Sequence, residues 1–302
     1  MIHTENLCKN FKEVQAVSNL NLDIHEGEVF GFLGPNGAGK TTTVRMLTCL
    51  ISPTSGSAKV AGYTLGIEDT NIRKNVGVLT ETPGMYDNLS AEYNLIIYAN
   101  LYEVSNPAKQ VEKYLKMLGL YDRRLDQAGT FSKGMKQKLA IARALLHEPK
   151  VIFLDEPTAA LDPEAAHLVR DFISEMKGEG RTIFLCTHNL DEADRLCDRI
   201  AVFKSRLLVQ DTPTNLRASL FGRRVVFHLR VMDEILAQKV KRLRFVREIK
   251  IIDNKLLVNI ENPETQNPEI IRTLVEAGAD VQFVGELRHS LEDVYLQLIK
   301  EN

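Results

Sequence analysis

No stretch of this 302-residue chain approaches the roughly 20 consecutive apolar residues of a membrane span. The N-terminus, MIHTENLCKNF, also lacks the apolar core of a secretory signal. Any membrane role is therefore expected to come through a partner. A charge excess is missing too. Lys and Arg number 38 against 40 Asp and Glu, a formal net charge of −2, which argues against a nucleic-acid binder working through bulk electrostatics. Cysteine is scarce and scattered: Cys8, Cys49, Cys186 and Cys197 form no C-x-x-C pair and have no adjacent His cluster. They read as reduced cytosolic residues, which excludes a disulfide framework and a zinc site. There is no internal repeat and no low-complexity segment. The composition, 44% apolar and 26% charged, is that of a globular protein, and the length suits one large domain with a small one appended, or two domains.

What stands out instead is GPNGAGKT, Gly34 to Thr41, which fits G-x-x-x-x-G-K-[ST]. A short apolar run at 28–33 precedes it and reads as a buried strand; the run at 42–47 reads as the first turns of a helix. In that setting Gly34, Gly37 and Gly39 let successive backbone N–H groups converge on phosphate oxygens, together with the backbone of Pro35, Asn36 and Ala38. The helix start at Thr42 adds unsatisfied N–H groups and a positive dipole end. Lys40 is expected across the β- and γ-phosphates, and Thr41 as a hydroxyl ligand to Mg²⁺. The chain is expected to bind a nucleoside triphosphate.

A second constellation is Val151-Ile152-Phe153-Leu154-Asp155-Glu156-Pro157. Two adjacent carboxylates at the end of an apolar strand are costly unless a cation or solvent serves them. Beside a P-loop, Asp155 is expected to hold Mg²⁺ and Glu156 to orient and polarise the attacking water. By itself an apolar run ending in Asp-Glu is also how a strand simply reaches the surface. A third segment, Phe131-Ser132-Lys133-Gly134-Met135-Lys136-Gln137, precedes a helical run at 138–147. Serine and glycine at a helix start make an anion site, or an ordinary cap.

With the P-loop, a helical insertion, the Ser-x-Gly segment and the Asp-Glu strand in this order, the chain resembles the nucleotide-binding subunit of an ABC transporter. It is similar in particular to the drug- and antibiotic-export group (daunorubicin- and bacitracin-resistance-like), where the signature motif often reads S-K-G-M, here Ser132 to Met135. The resemblance covers about residues 1–215 closely and the tail loosely. It implies an α/β fold: a P-loop NTPase cassette with a parallel-sheet core, an N-terminal antiparallel β subdomain and an α-helical insertion at about 84–145. It also implies an Mg-dependent ATPase, with ATP and Mg²⁺ as ligands. Two subunits, taken as a homodimer, would bury two ATP molecules between the P-loop of one and the signature segment of the other. Hydrolysis would power export through a separate integral membrane permease at the inner face of the cell membrane.

Further roles rest on the resemblance residue by residue. Phe11 matches the aromatic that stacks on adenine, Asp162 the segment running between the two ATP sites, and His188 the switch histidine reaching the γ-phosphate and the attacking water. One position departs from the family: the usual Gln after the strand at 76–79 is replaced by Glu81, which could still ligate Mg²⁺ but adds negative charge beside the triphosphate. The stretch at 82–104, with Tyr86, Tyr93 and Tyr98, would face the permease, although core packing explains some of these residues equally well. Soluble ABC-type ATPases of DNA maintenance or translation are disfavoured, because neither long heptad repeats nor a second cassette is present. A regulatory or self-immunity ATPase that binds its ligand without pumping it is a further alternative.

Along the rest of the cassette, residues 2–24 read as strand-rich, 57–63 as a short strand, and 90–104 and 109–118 as helices. Apolar runs at 150–154, 182–186 and 200–203 read as strands of a parallel sheet with helices between them. The pattern resets near 212–215. Residues 216–302 are expected to form a small α+β domain with strand at 225–231, helix at 232–243, strand at 245–252, a turn at Asp253-Asn254, strand at 255–260, helix at 268–278, strand at 281–284 and helix at 290–300. That order, β-α-β-β-α-β, suits a ferredoxin-like unit. Residues 217–250 are locally basic and read as a solvated face or as a contact to anionic lipid.

Overall fold

The computed structural model describes residues 1–80, 84–159, 161–287 and 289–301. The chain divides into two compact units, Met1–Asp211 and Thr212–Asn302. Among the described residues no helix is long and apolar enough to cross a membrane.

In the first unit, β1 (Ile2–Phe11) and β2 (Val14–Ile24) pair antiparallel, with four residues of each strand buried. The next strand, β3 (Val29–Leu33), is buried at every position and leaves this layer for a second sheet. After α1 (Lys40–Leu47) the chain returns through β4 (Ser55–Val60) and β5 (Tyr63–Thr64), closing the antiparallel sheet in the order β2-β1-β4-β5. The expected strand at 57–63 is split by a turn in which Ala61 and Gly62 both take positive φ, 53° and 88°.

The second sheet holds β3, β6 (Val76–Leu79), β7 (Val151–Asp155), β8 (Thr182–Thr187), β9 (Arg199–Lys204) and β10 (Arg206–Asp211), in the order β10-β9-β3-β8-β7-β6. All neighbours are parallel except β9 and β10. Parallel strands need crossovers, and α2 (Asp69–Asn75), α6 (Pro163–Gly178) and α7 (Leu190–Leu196) are among those that supply them. Between β6 and β7 lies a helical insertion of α3 (Ala91–Leu101), α4 (Pro107–Met117) and α5 (Lys133–Leu145). The strand β10 escapes sequence reading because Ser205 alone, at φ 56°, reverses the chain, so no turn cluster announces the hairpin.

Period two along the strands sorts the core. Phe30 and Phe32 on β3, Phe153, Phe184 and Phe203 point to one face, where they meet the antiparallel layer. Their rings form a continuous row, with centroids 4.7–5.9 Å apart. Burying each side chain contributes about 1.5–3 kcal/mol. That row holds β7, β8, β3 and β9 side by side, which places their C-terminal ends along one edge.

Several helices start where a capping residue is followed by proline. Asn106, Asp162 and Thr212 accept hydrogen bonds from Lys109, Ala165 and Asn215 N–H, and Pro107, Pro163 and Pro213 fill the first helical position. There the missing proline N–H costs nothing. Asn262-Pro263 starts a helix in the same way but without a side-chain cap bond.

In the second unit, α8 (Pro213–Phe221) precedes β11 (Arg223–Leu229), α9 (Glu234–Lys241), β12 (Glu248–Ile252), β13 (Lys255–Ile260), α10 (Pro263–Glu276), β14 (Val281–Leu287) and α11 (Leu291–Glu301). The sheet order is β12-β13-β11-β14, with every pair antiparallel. The helix expected at 268–278 begins five residues earlier, since Pro263 occupies its first position and Pro268 is carried inside it. Val225, Phe227, Leu229, Leu256, Val258 and Ile260 share a face with residues of α9 and α10 to make this unit's core. Four arginines of the basic stretch are paired within the unit: Arg223 with Glu264 and Glu286, Arg224 with Glu248, Arg230 with Asp280 and Arg247 with Glu261. That pairing fits a solvated face.

Candidate functional site

The edge where β3, β8 and β7 end gathers the chemistry. Leu33 pairs with Thr187, and Asp155 with Cys186, so the P-loop leaves β3 beside the last residue of β8, with the end of β7 one strand further along the sheet. Open parallel sheets bind ligands at this edge. Gly39 lies at φ 102°, and a Cβ there would come within 2.2 Å of the Ala16 carbonyl oxygen. A Cβ on Gly34 would meet the Phe203 carbonyl oxygen at 2.2 Å. The loop is thus clamped between β2 and β9, with Asn36 and Gly37 at its exposed crown and Pro35 and Ala38 closing its base through a 3.1 Å N–H···O bond. The Lys40 ammonium donates to the carbonyls of Gly34 (2.6 Å) and Pro35 (3.2 Å), inside its own loop. The first turn of α1, with Thr41 and Thr42, leaves N–H groups without intrahelical acceptors beside this crown.

Thr41 Oγ1 donates to Asp155 Oδ2 at 2.9 Å, joining the P-loop to the end of β7. A hydroxyl and a carboxylate, both hard oxygen donors, fit Mg²⁺ when phosphate and water supply the remaining ligands. Consistent with such a sparse protein contribution, the described residues contain no group of three or more His, Cys, Asp or Glu able to hold a metal unaided. Glu81, the third candidate ligand, lies outside the described residues.

Glu156 breaks from the strand. Its φ of 52° is left-handed, unusual for a residue with a side chain and common where function demands strain. Its N–H bonds the Cys186 carbonyl at 2.9 Å, and its mostly buried carboxylate meets His188 Nδ1 through Oε1 at 2.8 Å. His188 itself is two-thirds exposed. Burial pushes the neighbouring Cys186 thiol far up, so it stays neutral and offers no nucleophile.

The other expected residues lie apart from this edge or serve local structure. Ser132 caps α5, accepting from Met135 N–H at 3.2 Å; the Met135 sulfur lies 3.8 Å from an Arg123 guanidinium nitrogen, and Lys133 is exposed. A Cβ on Gly134 would touch the Ala165 methyl at 3.0 Å, so α5 starts close against α6. Asp162 caps α6 at 2.8 Å from Ala165 N–H. Phe11, half exposed, sits at the tip of the β1–β2 hairpin with the Lys9 ammonium 5.1 Å from its ring centroid.

Three buried polar residues escaped sequence reading. Gln137 on α5 donates to the Pro157 carbonyl at 2.8 Å, directly after Glu156. Asn94 on α3 holds the preceding loop, accepting from Tyr86 N–H at 2.9 Å and donating to the Tyr86 and Ser90 carbonyls at 3.0 Å. Glu192 on α7 accepts from the Thr158 and Thr187 hydroxyls at 3.1 and 3.3 Å. The available signal for each was a polar residue at an otherwise core-facing helical position.

Known proteins resemble this chain in sequence and in fold. Residues 17–159 match the family described as ABC transporter. The chain is 33% identical over 300 residues to the bacitracin transport ATP-binding protein BcrA of Bacillus licheniformis, 99% of this chain and 97% of that protein. It is also 33% identical over 297 residues to the daunorubicin resistance ATP-binding protein DrrA3 of Streptomyces coeruleorubidus, 96% and 93% of the two lengths. Among solved structures it is similar to a dimeric, post-hydrolysis ATP-binding cassette bound to ADP and Pi, with TM-score 0.64 and 26% identity over 70% of this chain and 98% of that one.

Proposed function

The chain belongs to the ABC transporter family as an ATP-binding subunit, and from that premise we propose how its own residues divide the work. It binds ATP with Mg²⁺ and hydrolyses it, and hydrolysis powers export through a separate integral membrane permease. In our reading Gly34 to Thr42 cradle the triphosphate, with Lys40 leaving its own loop carbonyls for the β- and γ-phosphates. Thr41 and Asp155 hold Mg²⁺, whose charge offsets that of the phosphate oxygens. Glu156 orients and deprotonates the attacking water, and His188 holds the Glu156 carboxylate in place. The observation that carries this assignment is the 2.8 Å contact between Glu156 and His188 at the strand edge that also presents the P-loop.

The second subunit is another copy of this chain, paired about a twofold axis. Ser132 to Met135 of one copy then close over the γ-phosphate held by the other, while Phe11 stacks on adenine and Asp162 runs between the two sites. ATP favours the closed pair, and loss of the γ-phosphate removes contacts from both sides of it. Tyr86 and Tyr93, each more than half exposed, contribute to the face that meets the permease, which holds the dimer at the inner surface of the membrane. Tyr98 instead packs under the Arg143 guanidinium, 5.1 Å from its ring.

Sedimentation of Glu156→Gln with and without saturating Mg-ATP tests this reading. A nucleotide-dependent dimer is expected. Material that stays monomeric, even with its permease present, overturns it.

A further inference from the structure

Glu192 is 2% exposed, yet no step assigned above uses it. It occupies the third position of α7, three residues after the capping Asn189, which accepts from the Glu192 N–H at 3.1 Å. In a capping box a glutamate at that position reaches back to the N–H of the capping residue. Here the Asn189 N–H is already taken by Thr187 Oγ1 at 3.0 Å. The Glu192 side chain is therefore free to turn inward. Its Oε2 accepts from Thr158, two residues after Glu156, and from Thr187, immediately before His188.

The Thr187 hydroxyl has one proton and two carboxylates in reach: Glu192 Oε2 at 3.3 Å and Glu156 Oε2 at 3.5 Å. Whichever carboxylate takes that proton decides whether the second oxygen of Glu156 is left unbonded. We propose that Glu192 is a positioning residue for hydrolysis: it pins the segments carrying Glu156 and His188 to α7 and draws the Thr187 hydroxyl away from Glu156. The assignment rests on the reading of Glu156 as the group that activates water.

The remaining oxygen of Glu192, Oε1, is buried with no hydrogen-bond partner. A charged carboxylate in that setting is expensive, and burial, with Glu156 adding to it, pushes the Glu192 carboxyl up against the opposing effects of Thr158, Thr187 and Arg170. What the geometry uses is Oε2, which accepts both hydroxyls whether or not the carboxyl is charged. Glutamine keeps that acceptor, because its carbonyl can take the place of Oε2 towards both hydroxyls. Leucine fills a similar volume and accepts neither.

Steady-state ATPase kinetics of Glu192→Gln, Glu192→Leu and Glu156→Gln in the full chain, with nucleotide affinity measured separately, test the proposal. Glu192→Gln should keep kcat within several-fold of the native value. Glu192→Leu should lose about 100-fold in kcat, the scale of a small misplacement of reacting groups, with KM for ATP changed by less than about twofold. Glutamine no better than leucine, native kcat in Glu192→Leu, or parallel losses in kcat and nucleotide affinity would each overturn it. The parallel variant separates the two claims. An inactive Glu156→Gln beside an unaffected Glu192→Leu removes the positioning role alone, whereas a fully active Glu156→Gln removes the reading beneath it.

Discussion

Thr41 and Asp155 stand 114 residues apart in sequence and share a 2.9 Å hydrogen bond between hydroxyl and carboxylate. It joins the phosphate-binding loop to the last residue of β7, directly before Glu156, the proposed hydrolytic carboxylate. The same two oxygens are the proposed Mg²⁺ donors. Thr41→Ser should keep a near-native Mg²⁺ requirement, because only a methyl group is lost. Thr41→Val should raise the Mg²⁺ concentration for half-maximal ATPase about 10- to 100-fold. Titrating Mg²⁺ at fixed ATP checks the contrast, and equal behaviour of the two variants would remove the hydroxyl from the site.

Removing the carboxylate from Glu156 should leave ATP binding intact and cut turnover. Glu156→Gln should lose about 10²- to 10⁴-fold in kcat, the usual range for a general base. His188→Ala should fall less, since it removes the contact that holds the carboxylate and not the carboxylate itself. Single-turnover hydrolysis of bound ATP is the appropriate measurement. A His188→Ala loss larger than that of Glu156→Gln would reverse the two roles.

Two glycines of the loop separate strain from collision. Gly37, at φ 79°, has nothing within 4 Å of an added Cβ, whereas Gly39 would drive one into the Ala16 carbonyl. Gly37→Ala should cost about 1–2 kcal/mol of left-handed strain and bind ATP measurably. Gly39→Ala must displace β2 or the loop, and nucleotide binding should be lost. Calorimetric titration with a non-hydrolysable ATP analogue distinguishes them; similar affinities for the two variants would contradict the clamped geometry.

His147 supplies a pH dependence away from the catalytic edge. Its Nε2 lies 2.9 Å from the Val76 carbonyl, so Nε2 carries the proton; its ring stacks on Tyr102 at 3.9 Å, and its Nδ1 is buried without a partner. Burial lowers its pKa below the ordinary 6.5. The unfolded chain therefore takes up the proton first as pH falls, so stability decreases on acidification through 6.5 and recovers above it. Melting curves recorded from about pH 8 to pH 5 should show a smaller acid-side loss for His147→Gln than for the native chain. Identical slopes would mean that His147 does not contribute.

Much of the cassette was legible because its signals are local. Glycine spacing announces the P-loop, apolar runs announce β7 and β8, and helical spacing announces the insertion. Element boundaries were less legible. Helix starts were set too late at α4, α5 and α10, although Asn106-Pro107, Ser132 and Asn262-Pro263 were available as start signals. The antiparallel strand β10 was missed because a single serine turns the chain. Gln137 and Glu192 were passed over because an isolated polar residue in a helix looks alike whether it faces solvent or a buried hydroxyl.

The amino-acid order by itself determined most of the strands, which loop can take up phosphate and where acid and imidazole occur, since each depends on neighbours a few residues away. Only the tertiary structure decided that Glu156 meets His188, that Thr41 meets Asp155, and that Thr187 stands between two carboxylates. Those contacts follow from the strand order β3-β8-β7, from the parallel register and from one left-handed residue at the end of β7. A shift of one residue in that register would turn the same side chains to the opposite face of the sheet.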